Sequence, residues 1–296
     1  MYDTILVPTD GSDHSLRAAE HGQYLAGIFD ATLHVISAVD VESVTGMIDT
    51  GVLNRQFVDR LEEAGERAIE ETRPVLDERG RVKTARIEGE PSEAILEYAD
   101  DCGADLIAMG THGRTGLNRY IAGSVTERVV RLADAPVLTV RATERSRIDE
   151  GYGEILVPAD GSDSAEAAVD HGLAIAQRTD ARVHTVNVVY VDEVDLSPNY
   201  TPPAELIERL ESEGRAATER VVDLARERGL EVVTEIREGL PARDLLEYAE
   251  ENAIDLIAMG TTGRRGLDRY LLGSTTEGIV RRADVPVLAV KRSTNS

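Results

Sequence analysis

Cysteine is almost missing from this chain. Cys102 stands alone among 296 residues, which excludes an internal disulfide, and one thiol near a helix end reads as a small buried hydrophobe, not a nucleophile. No run of 18 or more uncharged apolar residues occurs, so no membrane helix is expected. The opening "MYDTILVPTD" enters an apolar strand pattern at once, without a basic segment or a cleavage site, and the expectation is a cytoplasmic protein. Also lacking are a GK(S/T) phosphate loop, a GxGxxG dinucleotide fingerprint, a paired general acid and base, a metal-binding cluster and a nucleophile beside a histidine. Neither a catalytic residue nor a metal site is expected.

Lysine is the other scarcity. Only Lys83 and Lys291 occur, so 30 of the 32 basic residues (32 − 2) are arginine, against 55 acidic residues and a net charge of −23. An excess of this size repels a phosphate backbone before any local patch can act, which argues against a nucleic-acid partner. Near-absence of lysine on a carboxylate-rich chain also points to a halophilic protein, whose self-repulsion is screened by high ionic strength.

What is present is a repeat. "ILVPTDGSD" from Ile5 returns as "ILVPADGSD" from Ile155, "DLIAMGTHG" from Asp105 as "DLIAMGTTG" from Asp255, and "APVLTV" from Ala135 as "VPVLAV" from Val285. All three pairs are offset by 150 positions, so a whole domain has been duplicated in tandem. The expected domains are residues 1–143 and 153–293, joined by a charged linker at 144–152.

Within a copy, strand and helix patterns alternate. "TILVPT", "TLHVISAV", "RVKTARIE", "ADLIAMG" and "PVLTV" read as strands; residues 14–29, 55–80, 91–103 and 124–133 read as helices, with 40–54 irregular. Five strands interleaved with four helices predict an α/β fold: two tandem doubly wound domains, flavodoxin- or Rossmann-like, each a five-stranded parallel sheet of order 3-2-1-4-5 with helices on both faces.

In such a sheet the ligand crevice lies beyond the carboxyl ends of the strands, where the strand order reverses. Asp10 and Gly110 end the two strands that flank this point, as Asp160 and Gly260 do in the second copy. An acidic strand end can accept hydrogen bonds from ribose or an adenine amino group, and glycine lets backbone N–H groups approach phosphate. Gly123 and Ser124 precede a helix whose positive end and free N–H groups, those of Val125 and Thr126, form a phosphate seat. The Ser124 and Thr126 hydroxyls could add donors, and Arg114 or Arg119 a rim charge; Ser274, Thr275, Thr276, Arg264 and Arg269 reproduce the set. Ser124 three residues before Glu127, and Ser274 before Glu277, equally fit a capping box that does no more than start a helix. The glycines could serve only the turn, and Asp10 could be only a turn former.

The spacing Gly110, Gly113, Gly123, Ser124 is GxxGx9G(S/T), and Gly260, Gly263, Gly273, Ser274 repeat it. This pattern resembles the nucleotide-binding signature of the universal stress protein family, and the likeness extends over both copies from "ILVPTDGS" to "APVLTV". In that family, members with this loop bind ATP and members without it do not. The resemblance implies that Pro8, Asp10 and Ala38 surround adenine and ribose, that Met109, Gly110, His112 and Gly113 line the turn, and that Gly123, Ser124, Val125 and Thr126 hold the phosphates. In the second copy the same roles fall to Pro158, Asp160, Val188, Met259, Gly260, Thr262, Gly263, Gly273, Ser274, Thr275 and Thr276. Ala38 is placed only by counting 28 residues from Asp10. The implied ligand is ATP, or AMP or ADP, with Mg2+ as an optional counter-ion.

The copies differ at His112, which becomes Thr262. The histidine could touch phosphate or ribose, or be a solvated turn residue. Edge strands pair across dimers in the resembling family, so the two last strands are expected to form a pseudo-dimer within the chain, and a homodimer of whole chains stays open. The functional expectation is a stress-response regulatory protein with one ATP site per repeat. A slow ATPase or phosphotransferase and an ATP-independent interaction scaffold are the alternatives.

Overall fold

The computed structural model describes residues 1–41, 51–77, 80–112, 123–190, 204–263 and 272–292. The chain divides into two compact units, Met1–Asp149 and Glu150–Ser296. Gly113, Arg114, Arg119, Arg264 and Arg269 lie outside the described residues, as does most of the 40–54 stretch read as irregular.

The first unit runs β1 (Thr4–Pro8), α1 (Asp13–Phe29), β2 (Thr32–Val39), α2 (Gly51–Thr72), β3 (Val82–Glu88), α3 (Pro91–Cys102), β4 (Leu106–Gly110), α4 (Ser124–Leu132) and β5 (Val137–Val140). Its strands lie in the order β3-β2-β1-β4-β5, and every described pairing is parallel. The central strands β1 and β4 pair through Ile5↔Leu106 and Leu6↔Ile107. Ile5, Leu6, Val7, Leu106, Ile107 and Ala108 are fully buried, the continuous apolar run expected of strands covered on both faces. Helices α1 and α2 meet on one face of the sheet, α3 and α4 on the other.

The second unit repeats the course: β6 (Glu154–Leu156), α5 (Asp163–Thr179), β7 (Arg182–Val189), α6 (Ala204–Glu227), β8 (Val232–Glu238), α7 (Pro241–Glu251), β9 (Leu256–Gly260), α8 (Ser274–Arg282) and β10 (Val287–Val290). The order is β8-β7-β6-β9-β10, again parallel, so each unit shows the 3-2-1-4-5 winding.

The second helix departs from the sequence pattern at both ends. It begins at Gly51, inside the stretch read as irregular, and stops at Thr72 instead of continuing to residue 80. Pro74 is the cause of the early stop: it offers no N–H to continue the helix and turns Arg73–Val75 into a single 3-10 turn. Leu224 stands at the matching position of α6, which runs on to Glu227.

Residues 144–149 belong to the first unit. Buried His21 on α1 donates its Nε2–H to the Ser146 carbonyl at 2.8 Å, and Ser146 is itself buried in a turn closed by Thr143. Cys102 ends α3 half-buried; its thiol contacts the Ala99 carbonyl, and burial pushes its pKa up, away from reactivity.

Candidate functional site: the crevice at the β1/β4 and β6/β9 switch points

In each unit a serine caps the helix that follows the first strand: Ser12 accepts from the Ser15 N–H, Ser162 from the Ala165 N–H. The acid two residues earlier closes the turn, Asp10 Oδ1 accepting the Ser12 N–H at 3.0 Å and Asp160 Oδ1 the Ser162 N–H at 2.9 Å. One carboxylate oxygen of Asp160 is thereby committed to its turn. The other, Oδ2, lies 3.2 Å from where a Cβ on Gly263 would sit, so the strand-end acid and the loop glycine face each other across the crevice.

Gly110 has a packing reason to be glycine. A Cβ there would stand 2.7 Å from the His14 carbonyl carbon and 2.8 Å from the Ser15 N, and Gly260 meets Ser164 equally closely. The first turn of α1, or α5, is laid against the end of the fourth strand, leaving no room for a side chain.

The anion seat differs from the capping-box expectation. Gly123 and Gly273 are the N-cap residues, neither helix has a side-chain cap bond, and Ser124 and Ser274 are the first helical residues. The Gly123 N–H is held by the Thr111 carbonyl, and the Gly123 carbonyl receives the Glu127 N–H, so the serine stands one position too far into the helix to cap it. A second correction concerns Thr126. Its buried hydroxyl donates to the Gly110 carbonyl at 2.7 Å, as Thr276 does to Gly260 at 2.8 Å, and is not a donor toward the crevice. The backbone N–H groups of Ser124, Val125 and Thr126 have no intrahelical acceptor, and the positive end of the dipole lies with them. Ser124 is exposed.

A cavity of about 790 Å³ occupies this place in the second unit. Pro158, Asp160, Val188, Met259, Gly260, Thr262, Gly263, Gly273, Ser274, Thr275 and Thr276, the residues the resemblance implies for that copy, all line it. In the first unit Pro8 and Met109 are buried on β1 and β4, Ala38 is half-buried near the end of β2, and His112 follows β4 beside Gly123.

The sequence reading missed Asn187, Tyr190, Leu210, Leu240, Arg243 and Arg282, which also line the cavity. Asn187 and Tyr190 lie near the carboxyl end of β7, where the strand-end rule could have found them. Asn187 donates from Nδ2 to the Ala159 carbonyl at 2.7 Å. Leu210 and Arg282 come from helix faces that no local motif marks.

The sequence profile described as the universal stress protein family matches residues 1–141 and again 151–291. The chain belongs to the universal stress protein family. A universal stress protein of Methanocaldococcus jannaschii is 42% identical over 146 residues, covering 48% of this chain and 83% of that protein. One from Mycolicibacterium smegmatis is 28% identical over 296 residues, 97% of this chain and 96% of that one. The crystal structure of a universal stress protein from Archaeoglobus fulgidus shares the fold with a TM-score of 0.68 at 22% identity, covering 99% of this chain and 98% of its own. This member of the family therefore carries two copies of its domain. Among the described residues no helix is long and apolar enough to cross a membrane, and no group of three or more His, Cys, Asp or Glu could hold a metal.

Proposed function

We propose that this universal stress protein is a stress-response regulator that holds one adenine nucleotide in the crevice of each repeat, ATP first, with AMP and ADP as lesser ligands and Mg2+ as the nucleotide's own counter-ion. The observation that carries this reading is the 790 Å³ cavity, in which an acidic strand end, a glycine turn and a helix N-terminus share one wall with apolar side chains. Asp160 Oδ2, and Asp10 in the first repeat, accept from ribose hydroxyls. The N–H groups at the start of α8 and α4 receive phosphate oxygens, supported by the helix dipole. Val188, Met259 and Leu245 give the base an apolar bed. No group in this set is arranged to take a proton from water, which favours occupancy over turnover as the signal.

The test is mass analysis of what the purified protein carries, followed by calorimetric titration with ATP in molar salt. Two equivalents bound without turnover support the reading, with one lost in Val125→Asp and the other in Thr275→Asp. Accumulating ADP would convert the protein into a slow ATPase, and no binding would leave an interaction scaffold.

We further propose that the two edge strands, β5 and β10, pair with one another within the chain, because an apolar sheet edge without a partner invites aggregation. Cysteines introduced into these strands should cross-link on oxidation. The acidic, lysine-poor surface is read as an adaptation to high salt.

A further inference from the structure

Among the differences between the two crevices is a pair of positions that face each other. In the first unit His112, on the turn after β4, lies against His14, on the first turn of α1, with ring centroids 5.2 Å apart. In the second unit the same two positions are Thr262 and Ser164, joined by hydroxyl contacts: Ser164 Oγ donates to the Thr262 carbonyl, and Thr262 Oγ1 to Ser164 Oγ at 3.3 Å. A pair that can be charged has been replaced by one that cannot.

The imidazoles are placed where charge would act on an anion. His112 Cα is 3.8 Å from where a Cβ on Gly123, the N-cap of α4, would stand, so His112 borders the seat of N–H groups. His14 stands behind it. Its Nδ1 accepts the Ala142 N–H at 2.9 Å, so neutral His14 carries its proton on Nε2, and a second proton would break that bond. His112 Nδ1 has a softer partner, the Thr111 hydroxyl at 3.0 Å, which can accept as readily as it donates. At Nδ1, His112 can take up a proton while keeping its hydroxyl partner.

The charged groups around His14 come from four elements: Asp10 after β1, Asp13 on α1, His112 after β4 and Arg141 after β5. Burial, then His112 and Arg141, hold His14 below the ordinary imidazole range, against the pull of Asp13 and Asp10. His14 is thus biased toward its neutral form. A polyanion arriving beside it reverses the balance by favouring the charged form. Arg243, paired with Asp244 and Glu247, and Arg282 line the second crevice, where the first copy has Glu93 and Leu132 and carries Arg141 beside His14. Arg128 of the first copy is drawn away by ion pairs to Glu90 and Glu93.

We infer that the first crevice takes its nucleotide together with a proton held by the His112–His14 pair, whereas the second takes the same ligand without one. This rests on the nucleotide reading above and assigns a regulation to it: occupancy of the first site rises as the cell acidifies, and that of the second does not follow.

The experiment uses the full chain, stripped of nucleotide, in two variants that each leave one crevice open: Thr275→Asp for the first and Val125→Asp for the second. The introduced carboxylate sits in the first turn of a helix, where it is tolerated, and occupies the anion seat. ATP is titrated calorimetrically from pH 8 to pH 5.5. ATP itself titrates in this range, so the second crevice serves as the internal reference. The first-crevice affinity should rise at least about fivefold more than that of the second, a coupling of ordinary size. Adding His14→Ser and His112→Thr to the first variant should abolish the difference. In parallel, NMR titration of the imidazoles should show ATP raising the His112 pKa, since the linkage is reciprocal. Equal pH responses in the two crevices, or a response that survives the double substitution, overturn this inference and leave the nucleotide reading intact. No ATP in either crevice at any pH overturns both.

Discussion

The hydroxyl of Thr126 donates to the carbonyl of Gly110 at 2.7 Å, tying the N-terminus of α4 to the end of β4; Thr276 and Gly260 make the same bond at 2.8 Å. The start of the helix is therefore held against the strand end by a buried side-chain bond. It fixes the height at which the helix begins relative to the strand end, and so the distance from Asp10 to the free N–H groups.

From this bond follows a contrast between neighbours. Thr126→Val keeps the shape but leaves a buried carbonyl without its donor, which should destabilise the protein by about 1–3 kcal/mol. Ser124→Ala should change stability by less than about 0.5 kcal/mol, because the exposed Ser124 side chain makes no cap bond. Denaturant unfolding of the two variants checks the pair. An equal loss in both would restore the capping-box account.

Two glycines of the crevice separate in the same way. Gly110→Ala pushes a methyl against the His14 and Ser15 backbone at under 3 Å and should cost about 1–3 kcal/mol as α1 is forced away. Among the described residues a methyl at Gly263 meets Asp160 Oδ2 at 3.2 Å and no backbone, so the stability of Gly263→Ala should stay near wild type. Its nucleotide affinity in the second crevice should nevertheless fall several-fold, because the methyl crowds the carboxylate oxygen offered to ribose. Thermal melts and ATP titrations read the two effects apart.

His21 gives the fold a pH dependence of known sign. Burial lowers its pKa to about 4, with the Ser146 carbonyl bond opposing the shift. A neutral group in the folded state and an ordinary imidazole in the unfolded state mean that the unfolded chain binds more protons between about pH 6.5 and pH 4. The stability is complete above that window and lost as pH falls through it, by up to about 3 kcal/mol. In His21→Gln, which keeps a donor for Ser146, this part of the slope should vanish. A slope identical to wild type in urea unfolding at pH 7 and pH 4.5 would assign the acid sensitivity to other groups.

Salt supplies a further test. With a net charge of −23, the folded chain repels itself at low ionic strength, and potassium chloride screens that repulsion. The melting temperature should rise steadily from 0.1 M to about 2 M salt, well beyond the range where ordinary surface ion pairs are already screened. A fall across this range would remove the case for salt adaptation.

The architecture was legible because its signals are local or periodic. Continuous apolar runs such as "TILVPT" and "DLIAMG" mark strands buried on both faces, and a constant offset of 150 marks the duplication. The strand-end acid, the glycine pattern and the family resemblance named eleven of the residues that line the second unit's cavity, since the loops that carry them are brought by the winding to one edge. What the pattern could not convey was the reason for particular residues. Gly110 looked like a phosphate glycine and is also a packing glycine; Ser124 looked like a cap and is one position too late; Thr126 looked like a donor to ligand and serves the strand.

The chain's sequence by itself determined the order of elements, the sheet's winding and the duplication, because these follow from periodicity, turn chemistry and the handedness of crossovers. Only the tertiary structure decided what each crevice is made of. Leu210, Arg243 and Arg282 reach the second from separate helices, and His14 meets His112 across 98 residues of sequence (112 − 14). Such pairings depend on how a helix face is rotated against a strand end, and that rotation is set by close packing at residues like Gly110, where a single methyl group would not fit.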